Sequence, residues 1–186
     1  WMGEILFRTK LSENLFKGLS PWMQRLPGGL IHVNVVGCAL FAAISGSSAA
    51  TVATVGKMSI PELRKRKYPE KILLGSLAGS GTLGLLIPPS IILIIYGVTV
   101  QESIAKLFIA GIIPGIMIAL IFMGYVIIWS LLNKNKMPLT EENYSFLNKL
   151  SKSKQLIPVI LLILGVIGSI YTGIATATEA ASLGVV

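Results

Sequence analysis

The sequence predicts an all-α integral membrane protein, built from a re-entrant helical hairpin and discontinuous transmembrane helices. Three observations support this prediction. Hydrophobic residues make up 53% of the 186 positions and charged residues only 13%, and the mean hydropathy is +0.77. Soluble domains carry about 25% charged residues, so this chain is too apolar for water. Four long stretches carry no charge, and two of them contain helix-breaking residues in their middle.

The net charge of +8 does not indicate a nucleic-acid partner. A nucleic-acid binder clusters its basic residues beside aromatic or polar reading surfaces. Here the lysines and arginines lie between long apolar runs, as they do in the cytoplasmic loops of membrane proteins. We therefore expect the chain to lie in a lipid bilayer and to bind no nucleic acid.

The uncharged segments are each longer than the ~20 apolar residues that a helix needs to span a bilayer. They cover 26–56, 72–100, 107–132 and 156–178. Nearly all basic residues lie in three stretches: before 26, between 57 and 71, and between 134 and 154. Because cytoplasmic loops are enriched in Lys and Arg, all three stretches are expected on the cytoplasmic side.

The first segment is predicted to enter and leave the membrane on the same side. Basic stretches flank it at both ends, so a single crossing would place one of them on the wrong side. Its middle, Ile44-Ser45-Gly46-Ser47-Ser48-Ala49, interrupts a helix because Gly is flexible and Ser competes for backbone hydrogen bonds. We interpret 28–60 as a re-entrant hairpin with its tip near Ser45–Ser48, buried in protein or lining a cavity.

The second segment is predicted to be a broken transmembrane helix. A run of small residues at 79–84 leads to Ile87-Pro88-Pro89-Ser90. Two consecutive prolines remove two backbone donors and push the preceding residue out of helical geometry. Carbonyls near Gly84–Ile87 therefore lose their helical partners, close to the middle of the bilayer.

The tip and the break together suit Na⁺. Hydroxyl oxygens and unwound carbonyls are hard, neutral ligands, and transporters use discontinuous helices in this way. The segments carry almost no ionisable side chains, which argues against a proton relay. By contrast, the small-residue pairs Gly75/Gly79 and Gly111/Gly115 are interpreted as sites of close helix packing.

The segments follow one another in a predicted order. They are a cytoplasmic or interfacial amphipathic region (1–27), the hairpin (28–60), a basic cytoplasmic loop (61–71), the broken helix (72–100), a short outer loop with a transmembrane helix (101–132), a cytoplasmic linker helix (133–155) and a further transmembrane helix (156–186).

Four motifs in this order resemble landmarks of TRAP transporter large membrane subunits, and the match covers essentially the whole chain. Residues 41–51 (FAAISGSSAAT) are similar to the first hairpin of that family, and residues 80–90 (SGTLGLLIPPS) to the following broken helix. Residues 108–115 (FIAGIIPG) and 173–181 (GIATATEAA) are similar to later landmarks. The family's usual Thr-Pro-Thr-Glu is here Thr176-Ala177-Thr178-Glu179, which softens a bend.

The resemblance implies one half of an inverted-repeat elevator transporter, with the second repeat starting within 156–186. It implies Na⁺-driven import of organic acids such as C4-dicarboxylates, sialic acid or similar carboxylates, with Na⁺ as coupling ion and no other cofactor. The implied partners are a periplasmic substrate-binding protein and a small membrane subunit. The implied location is the bacterial inner membrane, crossed several times, and no catalytic residue is expected because the protein would not be an enzyme.

Carried onto this sequence, the resemblance implies a first sodium site between the tip and the break. Its implied ligands are Ser45, Ser47, Ser48 and the carbonyls of Gly84, Ile87 and Pro89. The implied substrate path is lined by Thr51 and Ser90.

Two alternatives stay open. Another elevator-type anion or dicarboxylate symporter shares the hairpin arrangement but not the order of motifs. A non-transporting membrane scaffold would tolerate substitution of Ser47 and of the two prolines. Family members contain a second repeat, and this chain supplies one hairpin tip. We therefore expect part of a longer protein, which holds half of the binding site and does not transport alone.

Overall fold

The computed structural model describes residues 11–138 and 146–172, together with Ile174 and Glu179. Every regular element in these residues is helical, so the prediction of an all-α protein is confirmed for this part of the chain. Three parts of the predicted segments lie outside the described residues: 1–10 of the amphipathic region, 139–145 of the linker, and 173, 175–178 and 180–186 of the last segment, which include most of the landmark 173–181.

The described residues form eight α-helices. They are α1 (Leu11–Met23), α2 (Ile31–Ser45), α3 (Ser48–Lys65), α4 (Glu70–Gly81), α5 (Ile91–Val100), α6 (Ile104–Leu132), α7 (Phe146–Ser153) and α8 (Ile157–Tyr171). Short 3₁₀ turns extend α4 (Thr82–Leu85), follow α6 (Lys134–Lys136) and join α7 to α8 (Lys154–Leu156). Two stretches, Ile104–Leu132 and Asn148–Tyr171, are long and apolar enough to cross a membrane by length and composition, whereas α2 and α5 are apolar but shorter.

Helix α2 lies at the centre of the bundle. It is apolar around nearly its whole circumference, and such a helix belongs in a core or a membrane. The helices α1, α3, α4, α6 and α8 all pack against it. Its side chains Val33, Val35 and Phe41 are at most 1% exposed, so the most apolar arm of the hairpin is also the most buried.

A buried polar contact joins α2 to α4. The side-chain amide of Asn34 donates from Nδ2 to Leu73 O at 3.2 Å and to Ser76 Oγ at 3.0 Å. Asn34 is fully buried, and a buried amide is costly unless it is hydrogen-bonded. Along the same interface, Ser80 of α4 donates its hydroxyl to Asn34 O of α2 at 3.4 Å. These bonds favour one register of α2 against α4.

Helix α3 continues to Lys65, five residues past the predicted hairpin boundary at Ile60, and the non-helical turn before α4 covers only 66–69. Leu, Glu, Arg and Lys are strong helix formers. The basic side chains of Arg64 and Lys65 lie in the last turn, where they interact favourably with the helix dipole. The charged residues of this segment thus indicate exposure to water, and the helix continues through them.

Helix α6 presents a continuous apolar face away from the bundle. Ile113 is 76% exposed, Leu120 is 62% exposed and Leu132 is 79% exposed. Contiguous apolar patches of this kind mark surfaces that meet a membrane or another protein.

Candidate ion and substrate site

The hairpin tip is a two-residue reversal between α2 and α3. Gly46 ends α2 in the left-handed conformation, with φ 60°, and donates its N–H to Ala42 O at 3.1 Å. Glycine adopts this conformation without the penalty that a Cβ brings. Ser47 then takes an extended conformation, and its Oγ accepts a hydrogen bond from Ala50 N at 3.4 Å, which caps α3.

Hydroxyl groups cluster just inside this reversal. Ser45 Oγ and Thr51 Oγ1 lie 2.8 Å apart, and Ser45 Oγ also lies 3.3 Å from Ser47 O. Thr51 is fully buried. The last residue of α2 and the first turn of α3 thus place two hydroxyl oxygens and a carbonyl within a few ångströms of one another.

The helix break lies between α4 and α5. Pro88 and Pro89, joined by a cis peptide bond, have no N–H to offer the carbonyls four residues earlier, which are those of Gly84 and Leu85. The hydroxyl of Ser90 donates to Leu85 O at 2.7 Å and so replaces one of the missing donors. Ser90 itself is extended and fully buried, and α5 begins directly after it.

The tip and the break are hydrogen-bonded to each other. Ile91 donates its backbone N–H to Gly46 O at 3.3 Å. Ser48 donates its hydroxyl to Gly81 O at 2.9 Å. The first bond joins the tip to the start of α5, and the second joins it to the end of α4.

Two glycines allow this close approach. A Cβ on Gly46 would lie 2.7 Å from Pro89 O, and a Cβ on Gly84 would lie 2.9 Å from the backbone N and Cα of Ser48. Real Cβ atoms essentially never approach this closely. At both positions the neighbour is backbone, which cannot move aside like the end of a side chain.

Four helix ends therefore meet at one junction. The carbonyl ends of α2 and of the 3₁₀ extension of α4 carry partial negative charge, and the amide ends of α3 and α5 carry partial positive charge. The segments 45–51 and 81–91 contain no ionisable side chain, so the electrostatics of the junction comes from backbone dipoles and hydroxyls. Such a junction suits a cation at the carbonyl ends and an anion at the amide ends.

The predicted site residues do not all play the same part in this geometry. Ser45, Ser47, Ser48 and Thr51 lie at the tip, while Gly84 and Pro89 approach it from the break. The side chain of Ile87 instead packs towards Gly115 of α6, and its N–H bonds to Leu83 O at 2.8 Å. Thr51 and Ser90, predicted on the substrate path, are buried, and both hydroxyls lie within hydrogen-bond distance of neighbouring oxygens.

Three contributors were not among the predicted site residues. Gly46 supplies both the reversal and a carbonyl for Ile91 N, and its signal was a glycine between serines in an apolar run. Asn34 fixes α2 to α4, and its signal was a single amide in an uncharged segment. The role of Ile91 had no signal in the sequence, because it acts through its backbone.

Comparison with known proteins shows which family this chain belongs to. The family described as "Tripartite ATP-independent periplasmic transporter, DctM component" matches residues 1–186. A C4-dicarboxylate TRAP transporter large permease protein DctM of Pseudomonas aeruginosa is 40% identical over 86% of this chain and 36% of its own length. An isethionate TRAP transporter permease protein DctMQ of Oleidesulfovibrio alaskensis is 38% identical over 93% of this chain and 27% of its own length.

A third relative widens the range of substrates named among these proteins. A sialic acid TRAP transporter permease protein SiaT of Haemophilus influenzae is 38% identical over 92% of this chain and 27% of its own length. The matched region thus spans roughly a third of these relatives. All three are transport proteins and not enzymes.

Proposed function

The chain belongs to the DctM family of tripartite ATP-independent periplasmic transporters, and we propose that it forms one half of the transport site of a Na⁺-coupled organic-acid importer. The meeting of four helix ends at the junction of tip and break supports this proposal. The bonds Ile91 N to Gly46 O and Ser48 Oγ to Gly81 O hold the ends together. Discontinuous helices that meet in this way bind coupling ions and anionic substrates in transporters.

The sodium ion is assigned to the carbonyl side of the junction. The proposed ligands are the hydroxyls of Ser45, Ser47 and Ser48 and the carbonyls of Gly84, Ile87 and Pro89. Ser45 is the ligand chosen for substitution because the contacts of its hydroxyl lie within the tip, with Thr51 and Ser47, whereas Ser47 also caps α3 and Ser48 also bonds to α4. These uncharged oxygen atoms favour Na⁺ as the coupling ion. A coupling proton would need a titratable side chain as its acceptor.

The organic acid is assigned to the amide side, at the N-termini of α3 and α5. A carboxylate or sulfonate there interacts with backbone N–H groups of the first helical turns and with the positive ends of two helix dipoles. Thr51 lies in the first turn of α3 and Ser90 directly precedes α5. Both are proposed to line the substrate path. Both are buried in this structure, so a substrate reaches them only when the tip and the break separate.

The whole protein is proposed to work as an elevator in the bacterial inner membrane, with the hairpin entering and leaving on one side. The family's description as tripartite and periplasmic supports two further components, for which we propose a periplasmic substrate-binding protein and a small membrane subunit. The relatives are named for C4-dicarboxylate, isethionate, sialic acid and ectoine. This range supports an organic acid as the substrate class.

The test is uptake of labelled organic acid by proteoliposomes that contain the full-length parent protein and its two partners. Uptake should require Na⁺. Ser45→Ala should raise the half-saturating Na⁺ concentration about tenfold, because a hydrogen-bonding group that meets a charge contributes roughly 1.5–3 kcal/mol. The matched control is Ser169→Ala in α8, whose hydroxyl bonds within its own helix to Val166 O at 2.8 Å.

The outcomes separate the alternatives. A sodium-independent uptake would reject the coupling ion. A Ser45→Ala variant with the same sodium dependence as Ser169→Ala would remove Ser45 from the site. Uptake that tolerates substitution of Ser45, Ser47 and both prolines would favour a membrane scaffold whose junction serves packing alone.

A further inference from the structure

Two segments that are distant in the sequence lie side by side at one end of the bundle. The turn between α3 and α4 and the end of α6 share an apolar cluster formed by Ile31, Tyr68, Ile72, Val126, Trp129 and Met137. The hydroxyl of Tyr68 also accepts a hydrogen bond from Leu30 N at 3.1 Å. The turn is therefore fixed both to the start of α2 and to the end of α6.

Among the described residues, the surface around this cluster carries an excess of positive charge. Both carboxylates of the segment 61–71 bond to arginines: Glu62 to Arg66 at 2.9 Å and Glu70 to Arg64 at 2.7 Å. The segment 133–137 contains no acidic residue. Five exposed lysines remain, which we name the basic platform: Lys65, Lys67, Lys71, Lys134 and Lys136.

The opposite end of α6 has a different charge balance. The loop between α5 and α6 and the first turn of α6 carry one acidic residue, Glu102, and one basic residue, Lys106. The net charge at this end is therefore zero, whereas the five lysines of the basic platform all carry positive charge. The two ends of α6 are thus expected on different sides of the membrane.

An exposed apolar face of α6 leads directly to the basic platform. Ile121, Tyr125, Ile128 and Leu132 share one side of the helix and are 58–79% exposed. Lys134 and Lys136 follow in the next turn. A phospholipid matches this arrangement, because its apolar acyl chains lead to a charged headgroup as the apolar face leads to the lysines. A soluble anion or a nucleic acid would use the lysines but leave this apolar face uncovered.

We propose that the basic platform binds the headgroups of anionic phospholipids, whose acyl chains lie against the exposed face of α6. Anionic leaflets attract lysines near their surface, and the aliphatic stem of lysine lets its ammonium group reach the headgroups. Trp129 is half-buried in the cluster beside the platform, at the level where aromatic anchors are enriched. This interaction goes beyond the transport site and does not depend on sodium binding there.

The experiment uses the full-length protein with Trp129 as its sole tryptophan, reconstituted in phosphatidylcholine vesicles. Brominated phosphatidylglycerol or brominated phosphatidylcholine is titrated in, and quenching of Trp129 fluorescence reports the lipid beside the platform. Half-quenching should need a mole fraction at least about fivefold lower for phosphatidylglycerol. Potassium chloride at about 0.5 M should reduce this preference, because salt screens exposed charges.

Three variants assign the preference to the platform. Replacing the five lysines of the basic platform together by Gln should reduce it to near equality, and replacing them together by Arg should preserve it. Lys106→Gln removes one charge at the other end of α6 and should leave the preference unchanged. Equal quenching by both lipids in the wild type, or a preference that survives the five Gln substitutions, overturns the proposal.

Discussion

The junction of tip and break and the outer surfaces of α4, α6 and α8 differ in what surrounds their glycines. At the junction, a Cβ on Gly46 or Gly84 would press on backbone atoms at 2.7–2.9 Å. On the outer surfaces, a Cβ added at Gly75, Gly124, Gly165 or Gly168 would have no heavy atom of the described residues within 4 Å, apart from its chain neighbours and the backbone of its own helix. At the junction, glycine therefore permits the close approach of two backbones, whereas these outer glycines face open space. The prediction of close helix packing at Gly75 is wrong for the described residues, although a Cβ on its partner Gly79 would lie 3.3 Å from the Phe122 ring.

Helix α6 contains both kinds of glycine. On its inner face, a Cβ on Gly111 would lie 2.8 Å from Leu86 O, and one on Gly115 would lie 2.8 Å from Ile87 Cγ1. Gly124 lies in open space on the same helix. The inner face of α6 is thus shaped to receive the helix break, and a substitution should be costly only where the glycine faces the junction.

Gly46→Ala should have the largest effect. The new side chain would have to adopt φ 60°, which costs about 1–2 kcal/mol for an L-residue, and would press on Pro89 O, as in an overpacked core. We expect a loss of about 2–4 kcal/mol in the free energy of unfolding, measured by denaturation of the full-length protein in detergent micelles.

Gly124→Ala is the matched control, since it makes the same chemical change within a helix and in open space. Its effect should stay within about 0.5 kcal/mol, or be slightly stabilising because Ala favours helix more than Gly does. Equal losses for the two variants would show that the junction is no more tightly packed than the outer surface.

Ser48→Ala should have an intermediate effect. It removes the hydroxyl that bonds to Gly81 O at 2.9 Å and leaves that carbonyl without this donor. A hydrogen bond of this kind contributes about 1 kcal/mol. Hydrogen exchange should accelerate in the first turn of α3 and near Gly81, while Ser169→Ala, which alters a bond within one helix, should leave both regions unchanged. Unchanged exchange in Ser48→Ala would mean that the tip is held without this bond.

The sequence predicted where the chain interrupts its helices, because those interruptions depend on local chemistry. Gly46 and its neighbouring serines, and the pair Pro88 and Pro89, act on their own backbone and need no distant partner. The extension of α3 to Lys65 differs from the predicted loop at 61–71, since basic residues are common both in loops and at the ends of helices. A charged side chain indicates that a residue is exposed to solvent. Whether that residue is helical depends instead on how its side chain affects the backbone.

The contacts across the junction had no comparable local signal. The choice of Gly81 O as the acceptor for the Ser48 hydroxyl, and of Gly46 O as the acceptor for Ile91 N, follows from how the hairpin of α2 and α3 packs against α4 and α5. A sequence shows which backbone N–H and C=O groups lack a hydrogen-bond partner in their own helix. It does not show which distant group becomes their partner in the fold. The ion ligands stay a prediction for the same reason, since several oxygens at the tip are chemically equivalent.

Among the three variants expected to destabilise the protein, Trp22→Phe should have the smallest effect, because its contact lies at the exposed edge of the bundle. Trp22 is 41% exposed, and its Nε1 donates to Ser153 Oγ at 2.8 Å, which joins α1 to α7. Its ring lies 5.5 Å from Lys149 Nζ, and phenylalanine keeps a ring at this position. We expect a loss of about 0.5–1 kcal/mol, well below that of Gly46→Ala.

A double-mutant cycle with Ser153→Ala tests whether that loss belongs to this one bond. Ser153 donates its own hydroxyl hydrogen to Lys149 O at 2.9 Å, so its oxygen is free to accept from Trp22. If the bond carries the effect, the double variant should be about 0.5 kcal/mol less destabilised than the sum of the single variants. Strict additivity would mean that the indole and the hydroxyl act separately, and that this hydrogen bond does not help to hold α1 to α7.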